Sequence, residues 1–435
     1  MKNLYKYWHF RIMYSIVFGY ACFYLVRANL SMTTLSMIDA GILTKENLGV
    51  LFTTFALIYG LGKGVAGWVS DRANPRVMMP LGLLFAGIAN FMVGMGSSFY
   101  WLLFAWSLNA CFQSVGSPSC IKILTHWFDK REIGTRWAVW NSAQQIGSAI
   151  PAAGAGLVIA TMGWRAMFFI PAVFCVFASL VLYNRLRASP ESVGLPGIRT
   201  YSHPNGAAVF NESTQDIDKD VRFSQILWEC VFKNRLVWLI GIANFFLYMV
   251  RFGLISWAPT LLMEHRNNTI LQAGIQTVLF DLASVTGGIL AGYLSDKVFK
   301  GNRGIVGVLF LLALMSVIVL LIYAPSGLVW LDCLLMGLIG FFISGPQILA
   351  GVAAADFASK RVAGTANGLI GIFGYLGASI AGFGVAKMSD ILGWNATLLG
   401  FAGAAVFSAV FFGMTFAVLD REKKVKEVVV AEALG

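Results

Sequence analysis

Charge is scarce in this chain. Asp, Glu, Lys and Arg make up 12% of its 435 residues and hydrophobic residues 58%, at a mean hydropathy of +0.73. A soluble domain built round one core cannot hold that much apolar surface, so most of it must face lipid. Acidic residues are the scarcer sign, 21 against 32 basic ones, for a net charge of +11. Nucleic acid would be one cause of such a balance, but the basic residues gather at the ends of apolar runs, as cytoplasmic loops do. Metal-ligand spacing is missing as well. The six cysteines (Cys22, Cys111, Cys120, Cys175, Cys230, Cys333) lie in or beside apolar runs, and His9, His126, His203 and His265 are scattered, so neither a disulfide framework nor a metal centre is expected. No Walker A pattern occurs and no catalytic signature stands out, which argues against an ATP-driven machine and against an enzyme. No cofactor is expected.

What is present is a series of long apolar runs, twelve of them able to cross a hydrocarbon core. In the first half they are Ile12 to Ile38, Glu46 to Ser70, Val77 to Gly96, Trp101 to Phe128, Arg136 to Ala160 and Trp164 to Tyr183. In the second they are Leu236 to Met263, Thr269 to Ser295, Ile305 to Tyr323, Leu328 to Ala354, Ala363 to Met388 and Trp394 to Val418. The expected fold is therefore all-α and polytopic, with twelve transmembrane helices in two pseudo-symmetric six-helix bundles. The division reads as a first bundle over residues 1–186, a Pro- and Gly-bearing polar linker over 187–226, a second bundle over 227–419 and a tail over 420–435 expected to extend the last helix. The first run is too long for a signal peptide and contains Arg27, so it reads as a retained span. Arg72, Arg76, Lys130, Arg131, Lys297, Lys360 and Arg361 fall on one side and few basic residues on the other, which puts both termini in the cytoplasm.

Three cations interrupt the apolar runs. Arg27 follows Tyr24 by three residues, Arg251 follows Tyr248 in the same way 224 residues later, and Lys63 lies in Tyr59-Gly60-Leu61-Gly62-Lys63. Each costs roughly 2.5–3.5 kcal/mol at a bilayer centre on the insertion scale, so a water-filled cavity that receives an anion is expected around them. Internal repetition points the same way. Gly67-Trp68-Val69-Ser70-Asp71-Arg72 recurs as Gly292-Tyr293-Leu294-Ser295-Asp296-Lys297 at an offset of 225, and Gly163-Trp164 recurs as Gly393-Trp394 at an offset of 230. Lys130-Arg131-x-x-Gly134-Thr135 recurs as Lys360-Arg361-x-x-Gly364-Thr365, also at 230. A duplicated six-helix unit explains all three.

At these residues the chain resembles a known family. Gly67-x-x-x-Asp71-Arg72-x-x-Pro75-Arg76 is similar to the loop motif of the major facilitator superfamily, with Asp296-Lys297 as its degenerate second copy. Phe23-Tyr24-x-x-Arg27, Tyr59-Gly60-x-x-Lys63, Arg251-x-Gly253-x-x-x-Trp257 and the stretch Ser295 to Gly304 together resemble the organophosphate:phosphate antiporters. Gly116-Ser117-Pro118 and Phe341-Phe342-x-x-Gly345-Pro346-Gln347 resemble the hexose-phosphate branch, including its sensor-like member.

The resemblance implies that Arg27 and Arg251 grip a phosphate while Lys63 adds a third positive contact. An arginine fork suits phosphate oxygens, and charge-assisted bonds are strong ones. Tyr20 and Tyr24 share a helix face with Arg27, as Tyr59 does with Lys63 and Tyr248 with Arg251, and their hydroxyls are candidates to complete the shell. Asp281 is the acid deep in a second-half run. It brings the formal sum of the four charges to +2, matched to a phosphate monoester dianion. Asn109, Gln113 and Ser117 form one polar stripe, and Asn141, Gln144 or Gln145, and Ser148 another. Ser344, Gln347, Asn367 and Tyr375 are further candidates, with interhelical bonding as the alternative for each. Gly67, Asp71, Arg72, Arg76, Asp296 and Lys297 are expected to gate one end.

The chain departs from the glycerol-phosphate pattern at Ala28, Ser256 and Gln144, where such relatives carry lysine, aspartate and histidine. It departs again at Ser117 and Ser344, where they carry tryptophan and tyrosine. The expected function is a secondary antiporter in the inner membrane, expected as a monomer, exchanging a sugar phosphate, most of all glucose 6-phosphate, for inorganic phosphate. A hexose-phosphate sensor of the same fold, or a glycerol-3-phosphate antiporter, is the alternative.

Overall fold

Backbone in hydrocarbon has no water to bond, so every N–H and C=O must find a partner within the chain, and the apolar runs answer this as helices. The computed structural model describes residues 2–129, 132–198, 233–299, 303–357 and 363–434. Lys130, Arg131, Lys360, Arg361 and residues 199–226 of the expected linker lie outside these. So do the side chains of Gly67, Asp71, Arg72, Asp296 and Asn367, and those of the tail from 419. By compactness the chain divides into two units, one of residues 1–220 with 269–278, the other of 221–268 with 279–435.

The first unit contains α1 (Lys2–Leu25), α2 (Asn29–Asp39), α3 (Lys45–Arg72), α4 (Pro75–Met95), α5 (Phe99–Gln113), α6 (Gly116–Trp127), α7 (Ile133–Asn141), α8 (Ala143–Met162) and α9 (Ala166–Arg185). Three of its membrane crossings are broken pairs: α1 with α2, α5 with α6, and α7 with α8. Among the described residues, eleven helical stretches are long and apolar enough to cross a membrane. The fourth expected run is the exception, because the break at Ser114 and Val115 leaves α5 and α6 only 15 and 12 residues long. Starts are set by ordinary capping: Thr44, Asn74 and Ser98 each accept a backbone N–H from the first turn of α3, α4 and α5. Asn29 and Asn90 are buried and tie α2 to α4 and α9, through a 3.0 Å bond to each other and bonds to the Met167 and Phe168 carbonyls.

The second unit contains α10 (Arg235–Glu264), α11 (Ile270–Tyr293, its first residues belonging to the first unit), a π-turn over Leu294–Val298, α12 (Arg303–Tyr323), α13 (Val329–Phe357), α14 (Ala363–Ile391) and α15 (Gly393–Leu434). These helices are unbroken. The repeated Gly-Trp pair has a conformational reason, since Gly163 and Gly393 both adopt a φ of +80°, which a side chain would strain. A second matched pair permits close approach. A Cβ on Gly147 of α8 would come within 2.2 Å of the Ala21 carbonyl oxygen on α1, and one on Gly377 of α14 within 2.0 Å of the Phe245 oxygen on α10. Gly147 and Gly377 are separated by the same 230 residues as the other late repeats. Small residues at such crossings let helices touch in lipid.

Arg266, which counts as a loop charge in the sequence, is buried beside Asp332. Its Nε and Nη2 donate to Asp332 Oδ1 at 2.8 and 2.7 Å, and its remaining donors reach the Ala324 and Pro325 carbonyls. Asn268 donates to the other carboxylate oxygen at 2.9 Å. Next to it, burial and then the Arg266 charge hold the His265 pKa below its ordinary value. A buried pair of this kind is weak support for stability as a whole but severe when broken. Asp332→Ala should lower unfolding stability by about 3–5 kcal/mol, and the double variant R266M/D332L by less than the two single changes added together. Detergent-phase thermal unfolding measures this, and additive losses would show that the pair is not coupled.

Candidate functional site

In the first unit the break between α1 and α2 places the arginine. The helix stops at Leu25, the Arg27 and Ala28 amides both turn back to the Tyr24 carbonyl at 3.1 and 3.0 Å, and α2 starts at Asn29. A break frees backbone acceptors, and the Val26 carbonyl takes a 3.0 Å bond from Asn109 and a longer one of 3.4 Å from Gln113, which also donates to Asn109. Both amides are buried. The Asn109 and Gln113 stripe thus serves the interrupted helix, the interhelical bonding that such stripes supply in lipid.

Arg27 itself is surrounded by rings. Its guanidinium carbon lies 4.4 Å from the Tyr59 centroid, 4.9 Å from Phe55 and 5.3 Å from Tyr24. Lys63 reaches the same Tyr59 ring, its Nζ 5.6 Å from the centroid. Tyr59 is buried and has side-chain hydrogen bonds to Tyr20 and Arg27. Tyr20 packs edge-on to Tyr24 at 5.4 Å and against Trp140 at 4.7 Å, while the Tyr24 hydroxyl donates to Gln144 at 3.0 Å. The structure therefore brings Arg27, Lys63, Tyr20, Tyr24, Tyr59 and Gln144 into one cluster. Aromatic faces attract a cation by roughly 0.5–2 kcal/mol each.

Phe55 and Trp140 were not legible as site residues. The signal for Phe55 was available, because 55, 59 and 63 are spaced by four on α3 and share a face. Ser117 is buried in the first turn of α6 and Asn141 ends α7, where it is half-buried.

The second unit repeats part of this arrangement on an unbroken helix. Arg251 is 5% exposed in the middle of α10. One turn earlier, Tyr248 accepts a hydrogen bond from Gln347 of α13 at 3.3 Å, and it packs with Phe252 and Tyr375 at 5.2 and 5.8 Å. The tyrosine before each arginine thus meets a glutamine on another helix of its own unit. α10 is fixed on α14 from both sides of Arg251, by Asn244 donating to the Ile370 carbonyl and Trp257 to that of Gly382. Asp281 is 6% exposed on α11. Ser344 is buried on α13, its hydroxyl bonded to the Phe341 carbonyl at 3.2 Å. Of the residues expected to gate one end, Arg76 sits in the first turn of α4 with its carbon 5.5 Å from the Tyr183 ring, and Lys297 is exposed in the π-turn.

A helical membrane protein with a duplicated architecture and cations set against tyrosine rings within its spans is a solute carrier in its class, not an enzyme. The chain belongs to the Major Facilitator Superfamily, whose model matches residues 16–382, and within it to the organophosphate:phosphate antiporter branch. It is 36% identical to the probable hexose phosphate transport protein of Chlamydia pneumoniae, over 98% of this chain and 95% of that one. It is 34% identical to the glycerol-3-phosphate transporter of Haemophilus influenzae, over 96% and 92%. It is 33% identical to the membrane sensor protein UhpC of Salmonella typhimurium, over 93% and 91%. Among solved structures, a bacterial homolog of the human lysosomal transporter Spinster, inward-facing and unoccupied, superposes with a TM-score of 0.76 at 15% identity, covering 94% of this chain and 97% of that one. That likeness is one of fold.

The role of Asn109 can be separated from ligand contact. Asn109→Leu removes the shorter bond to the Val26 carbonyl and should lower stability by about 1–3 kcal/mol. An unchanged melting temperature of the purified protein would remove the helix break from its support.

Proposed function

We propose that the protein is a secondary antiporter that exchanges a sugar phosphate, glucose 6-phosphate as the leading substrate, for inorganic phosphate by alternating access. The observation that carries this reading is the Tyr59 ring shared by Arg27 and Lys63, which brings two cationic side chains together in the first unit. The relatives named for hexose phosphate and glycerol 3-phosphate support a phosphorylated substrate. Arg251 supplies the corresponding guanidinium in the second unit, and Asp281 trims the sum of charges toward that of a dianion. The same arginines bind phosphate and ester, as exchange requires. Gln144, where the resemblance implies a histidine in members of the glycerol-phosphate type, favours a mechanism with no imidazole at that place. The working frame is a monomer in the inner membrane with both termini cytoplasmic, its bundles spanning 1–186 and 227–419.

The relative named as a membrane sensor supports a second reading, a receptor that binds hexose phosphate and carries no flux. Counterflow of labelled phosphate in proteoliposomes against a panel of sugar phosphates separates the two: exchange supports the carrier, tight binding without flux the receptor. Arg27→Lys and Arg251→Lys each keep the charge but lose the planar fork, and should cut exchange at least about tenfold while the protein still inserts. Near-normal exchange in both variants would sink the site.

Substrate size gives a further test. Ser117→Trp and Ser344→Tyr restore rings that glycerol-phosphate relatives carry, and each should depress hexose-phosphate exchange more than phosphate self-exchange. Equal loss for both ligands points to disturbed packing, which the buried Ser344 hydroxyl on its own helix makes the competing explanation. No loss places the serines outside the site.

A further inference from the structure

At the end of the first unit that carries residues 2–11 and the segment following α9, guanidinium groups gather on a tryptophan. The Arg11 carbon lies 4.6 Å from the Trp8 ring centroid and the Arg187 carbon 5.9 Å. The two side chains also converge on one backbone oxygen: Arg11 Nη2 and Arg187 Nη1 donate to the Asn184 carbonyl at 3.0 and 2.8 Å. Arg76 completes the group. Burial, then the charges of Arg76 and Arg11, draw the Arg187 pKa down, so the three positive fields overlap.

Among the described residues, no carboxylate forms an ion pair with Arg11, Arg76 or Arg187. The acid of the neighbouring segment, Glu191, is held by Ser189 and faces His126 instead. The Nε of Arg76 is buried and makes no hydrogen bond.

Like charges repel, so their assembly needs a scaffold, and one is present. Trp8 stacks on Trp127 at 5.8 Å, and the Trp127 indole donates to the Arg187 carbonyl at 3.0 Å. Arg11 is pinned further by the Arg185 carbonyl and the Tyr7 hydroxyl, at 3.2 and 3.1 Å. Around this platform Tyr7, Tyr14 and Tyr183 are exposed. Tyr7, Arg11 and Tyr14 share one face of α1, and such aromatic residues mark the level of the lipid headgroups.

We propose that Arg11, Arg76 and Arg187 form a binding site for the phosphate headgroup of an anionic phospholipid, with the lipid's upper acyl chain lying against Tyr14 and Tyr183. Guanidinium forks suit the phosphodiester oxygens, and basic pockets at a membrane surface hold anionic lipids in this way. A soluble phosphate shares the headgroup chemistry but has nothing to lay against the exposed rings. The site is separate from the Arg27 and Lys63 cluster and does not rest on the transport reading.

Native mass spectrometry of the full-length protein, titrated in detergent with phosphatidylglycerol or phosphatidylcholine, tests it. The wild type is expected to retain phosphatidylglycerol in preference, and R11Q/R187Q to weaken that retention by about fivefold for each arginine removed. Arg187→Gln alone, in the segment after α9, serves if the double variant does not fold. Arg165→Gln removes a cation stacked 4.5 Å from Trp164 at the opposite end of α9 and should leave retention unchanged. The proposal fails if the wild type shows no preference or if the variants bind as the wild type does. It also fails if Arg165→Gln loses as much, or if excess inorganic phosphate displaces the lipid as well as phosphatidylglycerol itself does.

Discussion

A guanidinium that cannot leave the hydrocarbon layer has to be held in place there. In the first unit aromatic rings take part in that task. Tyr59 is the centre of the arrangement, its ring close to both Arg27 and Lys63, with Phe55 and Tyr24 also beside Arg27. A carboxylate holds an arginine more tightly but competes with any anion for it. Rings do not compete in this way, because their attraction weakens little when a phosphate approaches from another direction. Much of the surrounding structure follows: the helix break that positions Arg27, the amides that satisfy the break, and Tyr20, Trp140 and Gln144 that orient the tyrosines.

The fold was legible because hydropathy and charge placement act over twenty residues at a time and tolerate local error. Helix breaks were not. No proline announces the gap between Leu25 and Asn29, whereas the gap at Ser114 and Val115 has a local cause in Pro118, whose ring and missing N–H oppose a helical bond to the Ser114 carbonyl. A break without proline is sustained by distant amides, such as Asn109 beneath Val26, and tertiary bonds leave no local signature. The candidate site was legible to a similar depth. The three cations and their tyrosines stand out by charge and spacing, and the helix period assigns them faces. Gln113 was a candidate contact with interhelical bonding as its alternative, and its amide donates to the Val26 carbonyl and to Asn109. Arg266 reads as a loop charge, and the structure buries it against Asp332, a partner 66 residues away that spacing does not reveal.

Duplication explains what the units share and gives a measure of how far they have diverged. Gly147 and Gly377 hold equivalent crossings, and Gly163 and Gly393 equivalent turns, at one common offset. The tyrosine one turn before each arginine meets a glutamine in both units, through Gln144 in one and Gln347 in the other. The scaffold has stayed alike while the helices carrying the arginines have not.

That last difference is mechanical. Arg27 sits at a joint between two short helices, whereas Arg251 sits mid-way along a rod of 30 residues. A force applied to Arg27 can be absorbed by bending at the joint, with the flanking helices left in place. The same force on Arg251 meets backbone bonds on both sides of it, the missing one at Pro259 lying two turns away, and must tilt the rod more than bend it at the arginine. One arginine is therefore a compliant hand and the other a lever, although both present the same chemical group.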